Sequence, residues 1–399
     1  MLLESDPARA FMPYPPVPVR HAETGPLSGL TFAAKDLFDV AGYPTSAGSP
    51  HLLAMSGVKT RTAPIVQKLL DAGARLVGKT ITDELAFSMS GKSAHFGTPV
   101  NGGAPDRIPG GSSSGSAAAV SNGLCDFALG TDTGGSVRAP ANHCGLFGIR
   151  PTHGRVSLEL CHDLAPSFDT CGYFTRTAAA FERVGEVMLG VDPAPLPERP
   201  RLMLAADAFA MLDSDVRTVL APWVQRIENL LGEAAVVETA TEGFEALYWA
   251  FRYLQSREAW DIDGAMIERY RPPLGPGVAD RFAFAQTVTD SQVAESKMIR
   301  ERFQVRFEKL IGSDGLLVLP TMPDIAPLLS ESDDALNDYR NHALKLLCLS
   351  GLSGFPQVSI PVATRLGAPL GLSILGPAGS DLSMVRLAAR IASSGAHPT

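Results

Sequence analysis

This chain of 399 residues contains little that is charged, aromatic or sulfur-bearing. Charged residues make up 19% and aromatic ones 7%, against 45% hydrophobic, a balance that excludes wholesale disorder. Basic residues do not dominate: 34 Lys and Arg face 42 Asp and Glu, for a net charge of −8. That argues against a dominant nucleic-acid surface, which needs a concentrated positive field. The five cysteines (Cys125, Cys144, Cys161, Cys171 and Cys348) form no CxxC pair. Neither a disulfide framework nor a zinc site is expected; free thiols in a reducing, cytoplasmic compartment are. The longest uncharged stretches, 108–125 and 346–364, are interrupted by Gly, Ser and Pro. Neither makes the apolar run of ~20 residues that a membrane helix needs. The opening MLLESDPARAFM has no basic segment leading into an apolar one, so no secretory signal is expected.

What is plentiful is glycine (38) and proline (31), which predicts many turns and shaped loops. Residues 1–28 are Pro-rich and are expected to wrap the surface. GLTFAAKDLFDV, 29–40, reads as a short strand running into a loop. Residues 62–73 read as a helix, with Pro64 in the first turn and Gly73 at the end, and RLVGK, 75–79, as a buried strand. A small-residue helix at 113–123 precedes an apolar strand at 124–130. From about 190 to 312 the spacing turns helical and more charged, while strand patterns return at 316–320 and 357–362. The alternation predicts an α/β fold with a mixed, twisted central sheet flanked by helices on both faces. One domain spanning 1–399 is expected, with 190–312 as a helical insertion.

The least random segment is 109–157, which holds two Gly-Gly-Ser elements, GGSSSGS at 110–116 and GTDTGGS at 130–136. The second follows an apolar strand and precedes a candidate helix. Gly134 and Gly135 open backbone conformations closed to other residues, so several N–H groups can converge on one anion or developing oxyanion. Ser136 ends that loop, where a hydroxyl nucleophile would be useful. Read alone, GTDTGGS serves equally well as a phosphate-binding turn, although it fits neither GxxxxGK[ST] nor GxGxxG. A Ser-His-Asp hydrolase is a further option, but the eight histidines single out no base.

Over its whole length, 109–157 resembles the amidase signature family. The resemblance implies a catalytic set of a nucleophilic serine, a second serine held by a non-proline cis peptide, and a lysine. GGSSSGS corresponds to the element carrying the second serine, which becomes Ser112 after a cis Gly111–Ser112 bond. GTDTGGS makes Ser136 the nucleophile, and AAKD makes Lys35 the base. The similarity continues through 78–101, 167–176, 354–362 and 371–377. Ser114 departs from the glycine of many members. DELAFSMSGKSAHFGTP, APDRIPGGSSSGSAAAV and GTDTGGSVRAPANHCGLFGIRPTHG are most similar to the plant indole-3-acetamide hydrolase-like members and short bacterial ones.

The resemblance further implies an amidase acting on a small carboxylic amide through an acyl-enzyme. Burial of Lys35 would lower its pKa, and the proton of Ser136 would reach it through Ser112. The N–H groups of Thr133, Gly134, Gly135 and Ser136 would hold the oxyanion. Ser113 is expected to support its loop and Asp132 to tie down the oxyanion loop; Arg138 is read as forming a structural ion pair, with binding of a substrate carboxylate as the alternative. Lys79 is read as a structural or surface residue, and His95 and His143 as structural. Met89, Phe168 and Phe174 are candidates for an apolar pocket, with core packing an equal explanation. No cofactor or metal is expected, and the partner is a small-molecule amide rather than nucleic acid or membrane; a homodimer is left open. The alternatives are the glutamine-hydrolysing component of a tRNA-dependent amidotransferase, a hydrolase of urea- or carbamate-type amides, and a silent binding protein on the same fold.

Overall fold

A computed structural model describes residues 5–394. Its ten strands are β1 (Thr31–Lys35), β2 (Arg75–Thr80), β3 (Phe127–Thr131), β4 (Phe147–Arg150), β5 (Cys171–Thr175), β6 (Arg201–Ala205), β7 (Ala235–Val237), β8 (Gly315–Pro320), β9 (Gln357–Arg365) and β10 (Ala368–Leu375). They form one sheet in the order β2-β1-β3-β5-β4-β9-β10-β8-β6-β7. The pairs β1–β2, β1–β3, β6–β7 and β6–β8 are parallel and the rest antiparallel, so the sheet is mixed.

Both faces of the central strands are covered, which explains why they read as continuous apolar runs rather than alternating ones. On β1, Phe32 and Ala34 enter the main hydrophobic cluster, whereas Ala33 enters a second one on the opposite face. On β3, Phe127 and Leu129 take the first face and Ala128 the second. The second face is sealed by the small-residue helix Ser114–Ser121, whose Ala117, Ala118, Ala119 and Val120 are fully buried. At the outer edge of β2, Phe11 bridges Thr80 and Met12 N–H donates to Lys79 O at 2.8 Å. The Pro-rich N-terminal segment thus covers an edge that would otherwise offer unpaired backbone.

The stretch 190–312 holds the helices Ser214–Leu231, Phe244–Tyr270, Pro276–Thr287 and Asp290–Ile311, and it also contributes β6 and β7 to the end of the sheet. The sequence pattern suggests only helix there. AVV in β7 is three residues long, with Val236 exposed, too short for a period-two pattern to register. Among the described residues no helix is long and apolar enough to cross a membrane.

Candidate active site

The sheet brings Lys35 and Thr131 to the same edge of neighbouring parallel strands, since β1 and β3 run side by side and end at these residues. Lys35 has no exposed surface. Its Nζ donates to Ser112 Oγ at 2.7 Å and to Thr131 Oγ1 at 2.7 Å, and it forms no ion pair with a described residue. Burial lowers its pKa to about 8; Asp83, Cys161, Asp169 and Asp132 act in the opposite direction but do not cancel it. Thr131 was not singled out from the sequence, although it lies inside GTDTGGS.

Lys79 is buried too, yet its surroundings are of another kind. Its Nζ lies 2.6 Å from Asp36 Oδ1 and donates to Pro44 O and Thr45 Oγ1, both at 2.7 Å. It is a paired, fully satisfied structural cation. Residues 73–80, GARLVGKT, have the spacing GxxxxGK[ST], but Arg75–Thr80 is strand β2 and Lys79 is committed to Asp36, so there is no phosphate cradle. GSSSG at 111–115 likewise has the GxSxG spacing, yet its middle residue, Ser113, donates from Oγ to Thr131 O at 3.2 Å and so supports the loop.

The bond Gly111–Ser112 is cis. The Ser112 carbonyl accepts from Asp83 N–H and from Thr82 Oγ1, both at 3.0 Å, and Gly111 N–H donates to Met89 O at 2.8 Å. A Cβ at position 111 would lie 2.2 Å from Asp83 Oδ2, so only glycine fits beside that carboxylate.

The loop from Thr131 to Ser136 is organised by Asp132, which is fully buried. Its Oδ1 accepts from Gly135 N–H at 2.9 Å, and its Oδ2 from Val137 N–H at 3.1 Å and Arg138 N–H at 3.2 Å. The Arg138 side chain adds Nε to Oδ2 at 3.0 Å and Nη2 to Oδ1 at 2.8 Å, and Arg150 Nη1 donates to Oδ1 at 3.1 Å. Burial alone would raise the Asp132 pKa; the two guanidinium groups and the backbone donors overcome it and hold the carboxylate far below its usual range. Arg138 is buried in this ion pair and reaches on to Leu347 O and Gln357 Oε1. Gly135 has φ +127°, and a Cβ there would meet Leu347 at 2.4 Å.

One expectation about this loop needs correction. Gly135 N–H already donates to Asp132, so it is not available to an oxyanion. The N–H groups of Thr133, Gly134 and Ser136 make no hydrogen bond to any described residue. The Ser136 side chain is 4% exposed and its hydroxyl is unpartnered among the described residues, including by Ser112. The structure therefore joins Lys35 to Ser112 directly and gives Ser136 no hydrogen bond to Ser112.

A cavity of about 440 Å³ is walled by Asp83, Met89, Arg281, Tyr339 and Arg340 among others; Lys35, Ser112 and Ser136 are not among its lining residues. Met89 is among its lining residues; Phe168 and Phe174 are not. Phe168 is fully buried, edge-on to Phe251 at 4.9 Å and under the Arg300 guanidinium at 4.2 Å. Phe174 alternates on β5 to the face sealed by Ser114–Ser121 and is core there. Asp83 was not singled out from the sequence: it is buried, Oδ2 accepts from Gly91 N–H at 3.0 Å, Oδ1 has no partner, and burial raises its pKa. His95 pairs with Glu84 at 3.0 Å and His143 with the Tyr339 hydroxyl at 3.0 Å, both structural contacts.

The Amidase family profile matches residues 17–209. Amidase 1 of Arabidopsis thaliana is 39% identical over 89% of this chain and 90% of its own length. Amidase 1 of Oryza sativa subsp. japonica is 37% identical over 93% of this chain and 92% of its own length. A solved structure described as an amidase superposes with TM-score 0.83 at 30% identity, covering 92% of this chain and 85% of that one. A glutamyl-tRNA(Gln) amidotransferase chain of Thermotoga maritima superposes with TM-score 0.82 at 25% identity, covering 97% and 88%. Fold and similarity together define a hydrolase of carbon–nitrogen bonds built on a mixed α/β sheet. The chain belongs to the amidase signature family.

Replacing Asp132 by Asn removes the charge between two buried guanidinium groups and is expected to cost about 3–5 kcal/mol, read as a lower denaturant midpoint. Because the native Asp132 pKa is depressed, its stabilisation is complete above about 3.9 and is lost as pH falls below that toward the native value. The variant should therefore lose that part of the acid dependence of stability.

Proposed function

We propose that the chain hydrolyses the C–N bond of a small carboxylic amide, aryl- or alkyl-substituted, through an acyl-enzyme on Ser136 with Ser112 and Lys35 as the proton relay. The observation that carries this reading is the Lys35 amine, wholly buried, within 2.7 Å of two hydroxyl oxygens and without a carboxylate partner. A neutral amine in that position takes the Ser112 proton on its lone pair while still donating to Thr131. Ser112 in turn takes the proton of Ser136, whose oxygen attacks the carbonyl carbon. Negative charge develops on the carbonyl oxygen, and the unengaged N–H groups of Thr133, Gly134 and Ser136 supply donors for it. Collapse of the tetrahedral intermediate breaks the C–N bond, and Ser112 returns the proton to the departing nitrogen. Water then attacks the ester by the same relay, releasing the carboxylate and restoring Ser136.

The second reading, a glutamine-hydrolysing component of a tRNA-dependent amidotransferase, is favoured by the Thermotoga maritima match over nearly the whole chain. The purified chain alone separates the two. Turnover of simple primary amides without partners supports the first, and glutaminase activity that needs added partner subunits supports the second. A urea- or carbamate-type substrate is tested in the same panel.

Lys35→Ala and Ser136→Ala are each expected to lower kcat by at least ~10²–10⁴ while the circular dichroism spectrum stays native. Normal turnover by a folded Ser136→Ala variant refutes the assignment. With the Lys35 pKa lowered to about 8, the active neutral form prevails above that pH. Below it, kcat/KM should fall toward about tenfold per pH unit, because a single proton blocks the base. A rate flat down to about pH 5 is incompatible with a lysine base.

A further inference from the structure

The stretch SFDT, 167–170, holds none of the relay residues, yet it is bound tightly to the turn that ends in Ser136. It stands just ahead of β5, and the antiparallel register of Thr131 with Cys171 sets it beside that turn. Asp132 N–H donates to Thr170 O at 2.9 Å, and Thr170 N–H donates back to Asp132 O at 3.2 Å. The Asp132 carbonyl also accepts from the Thr170 hydroxyl at 2.9 Å and from Arg150 Nη1. A trans peptide is planar, so its N–H lies opposite its C=O. Three donors on the Asp132 carbonyl therefore fix the direction of the next N–H, that of Thr133, which has no partner among the described residues. The Thr133 side chain is fixed separately: its hydroxyl donates to Asp169 Oδ1 at 2.5 Å. Asp169 is 5% exposed, and its Oδ2 accepts from the N–H groups of Leu164 at 2.9 Å and Ala165 at 3.0 Å. Where Asp132 is offset by two guanidinium groups, Asp169 forms no ion pair with a described residue and is held by three hydrogen-bond donors alone.

We propose that Asp169 and Thr170 are positioning residues of the hydrolysis, holding Thr133 so that its N–H meets the substrate carbonyl oxygen as that oxygen becomes negative. The proposal rests on the amidase reading above and adds the groups that aim one of its donors. Thr170 sets the peptide plane and Asp169 sets the side chain of the same residue, so the loss of either frees one end of it. The charge on the oxygen exists only in the transition state and the tetrahedral intermediate, so the effect falls on kcat rather than KM. Asp169 also does something that a mechanical brace does not. Its carboxylate acts on the Lys35 amine, as Asp83, Cys161 and Asp132 do. The other titratable groups that feel it are Arg150 and the run Cys161, His162 and Asp163, which shares a crevice with Thr131 and Thr133. A negative charge favours the protonated lysine, so removing it leaves Lys35 neutral down to a lower pH.

The test measures kcat and KM of the full chain for phenylacetamide across pH, together with the rate at which a fluorophosphonate, whose phosphoryl oxygen takes the place of the oxyanion, labels Ser136. Thr133→Val keeps the shape and removes only the hydroxyl. It should lower kcat by about 10–10²-fold with KM little changed, the scale of a misplaced catalytic group. Thr133→Ser, which keeps the hydroxyl, should recover most of that loss. Thr170→Val should also act on kcat. Asp169→Asn should lower kcat and move the acid limb of kcat/KM to lower pH, whereas Thr133→Val leaves the limb in place. The double variant should lose little more than Asp169→Asn alone, because both changes act through one hydrogen bond. If Asp169→Asn fails to fold, the two threonine positions carry the decision. An unchanged kcat in a folded Thr133→Val variant, additive losses in the double variant, or an acid limb that Asp169→Asn does not move overturns the proposal. If no amide is cleaved but Thr133→Val slows the labelling of Ser136, the positioning role stands and the amidase reading falls. If amides are cleaved and Thr133→Val costs nothing, the reverse holds. If the chain neither cleaves an amide nor takes the label at Ser136, both fall.

Discussion

The site depends on keeping one ammonium group out of water without giving it a counter-ion. An ordinary buried lysine is held charged by a carboxylate, as Lys79 is by Asp36 at 2.6 Å. Lys35 instead has two hydroxyl oxygens at 2.7 Å and only more distant acids. Hydroxyls stabilise a charge far less than a carboxylate does, so desolvation dominates and the proton is held loosely. Burial lowers the pKa of both amines; at Lys79 the adjoining Asp36 carboxylate opposes it directly, whereas at Lys35 only more distant acids do.

A second constraint is the rigidity of the loop that presents Ser136. Its turn is built around one carboxylate that receives three backbone N–H groups and two arginines. Asp132 takes the Gly135 N–H, while the N–H groups of Thr133, Gly134 and Ser136 have no partner among the described residues. The glycines are set by space as much as by torsion, since helices Phe244–Tyr270 and Asp333–Ser353 press Phe251 and Leu347 against positions 134 and 135.

Much of this was legible in the sequence because it is local. GGSSSGS and GTDTGGS are short, dense and unusual, and AAKD stands at the end of an apolar strand whose period is hidden only by burial on both faces. The roles of Asp132, Arg138 and Ser113 followed from their place in those loops. What was not legible is what depends on packing between distant segments. Phe168 and Phe174 share their composition with pocket residues, and only the strand alternation and the Phe251 contact assign them to the core. Arg281 and Arg340 lie on separate helices, Pro276–Thr287 and Asp333–Ser353, and nothing in either segment announces that the two meet. The engaged N–H of Gly135 is a matter of where one carboxylate oxygen points, which no residue pattern encodes.

The strand order has a consequence for how the molecule comes into being. Lys35 touches partners 77 and 96 positions away, on a parallel neighbour and on the crossover between the two strands. Parallel neighbours cannot meet through a tight hairpin, so no fragment containing Lys35 alone can shield it. In a nascent or partly unfolded chain the amine is an ordinary solvated cation. Its shielded environment between two hydroxyls exists only once the middle of the sheet is complete.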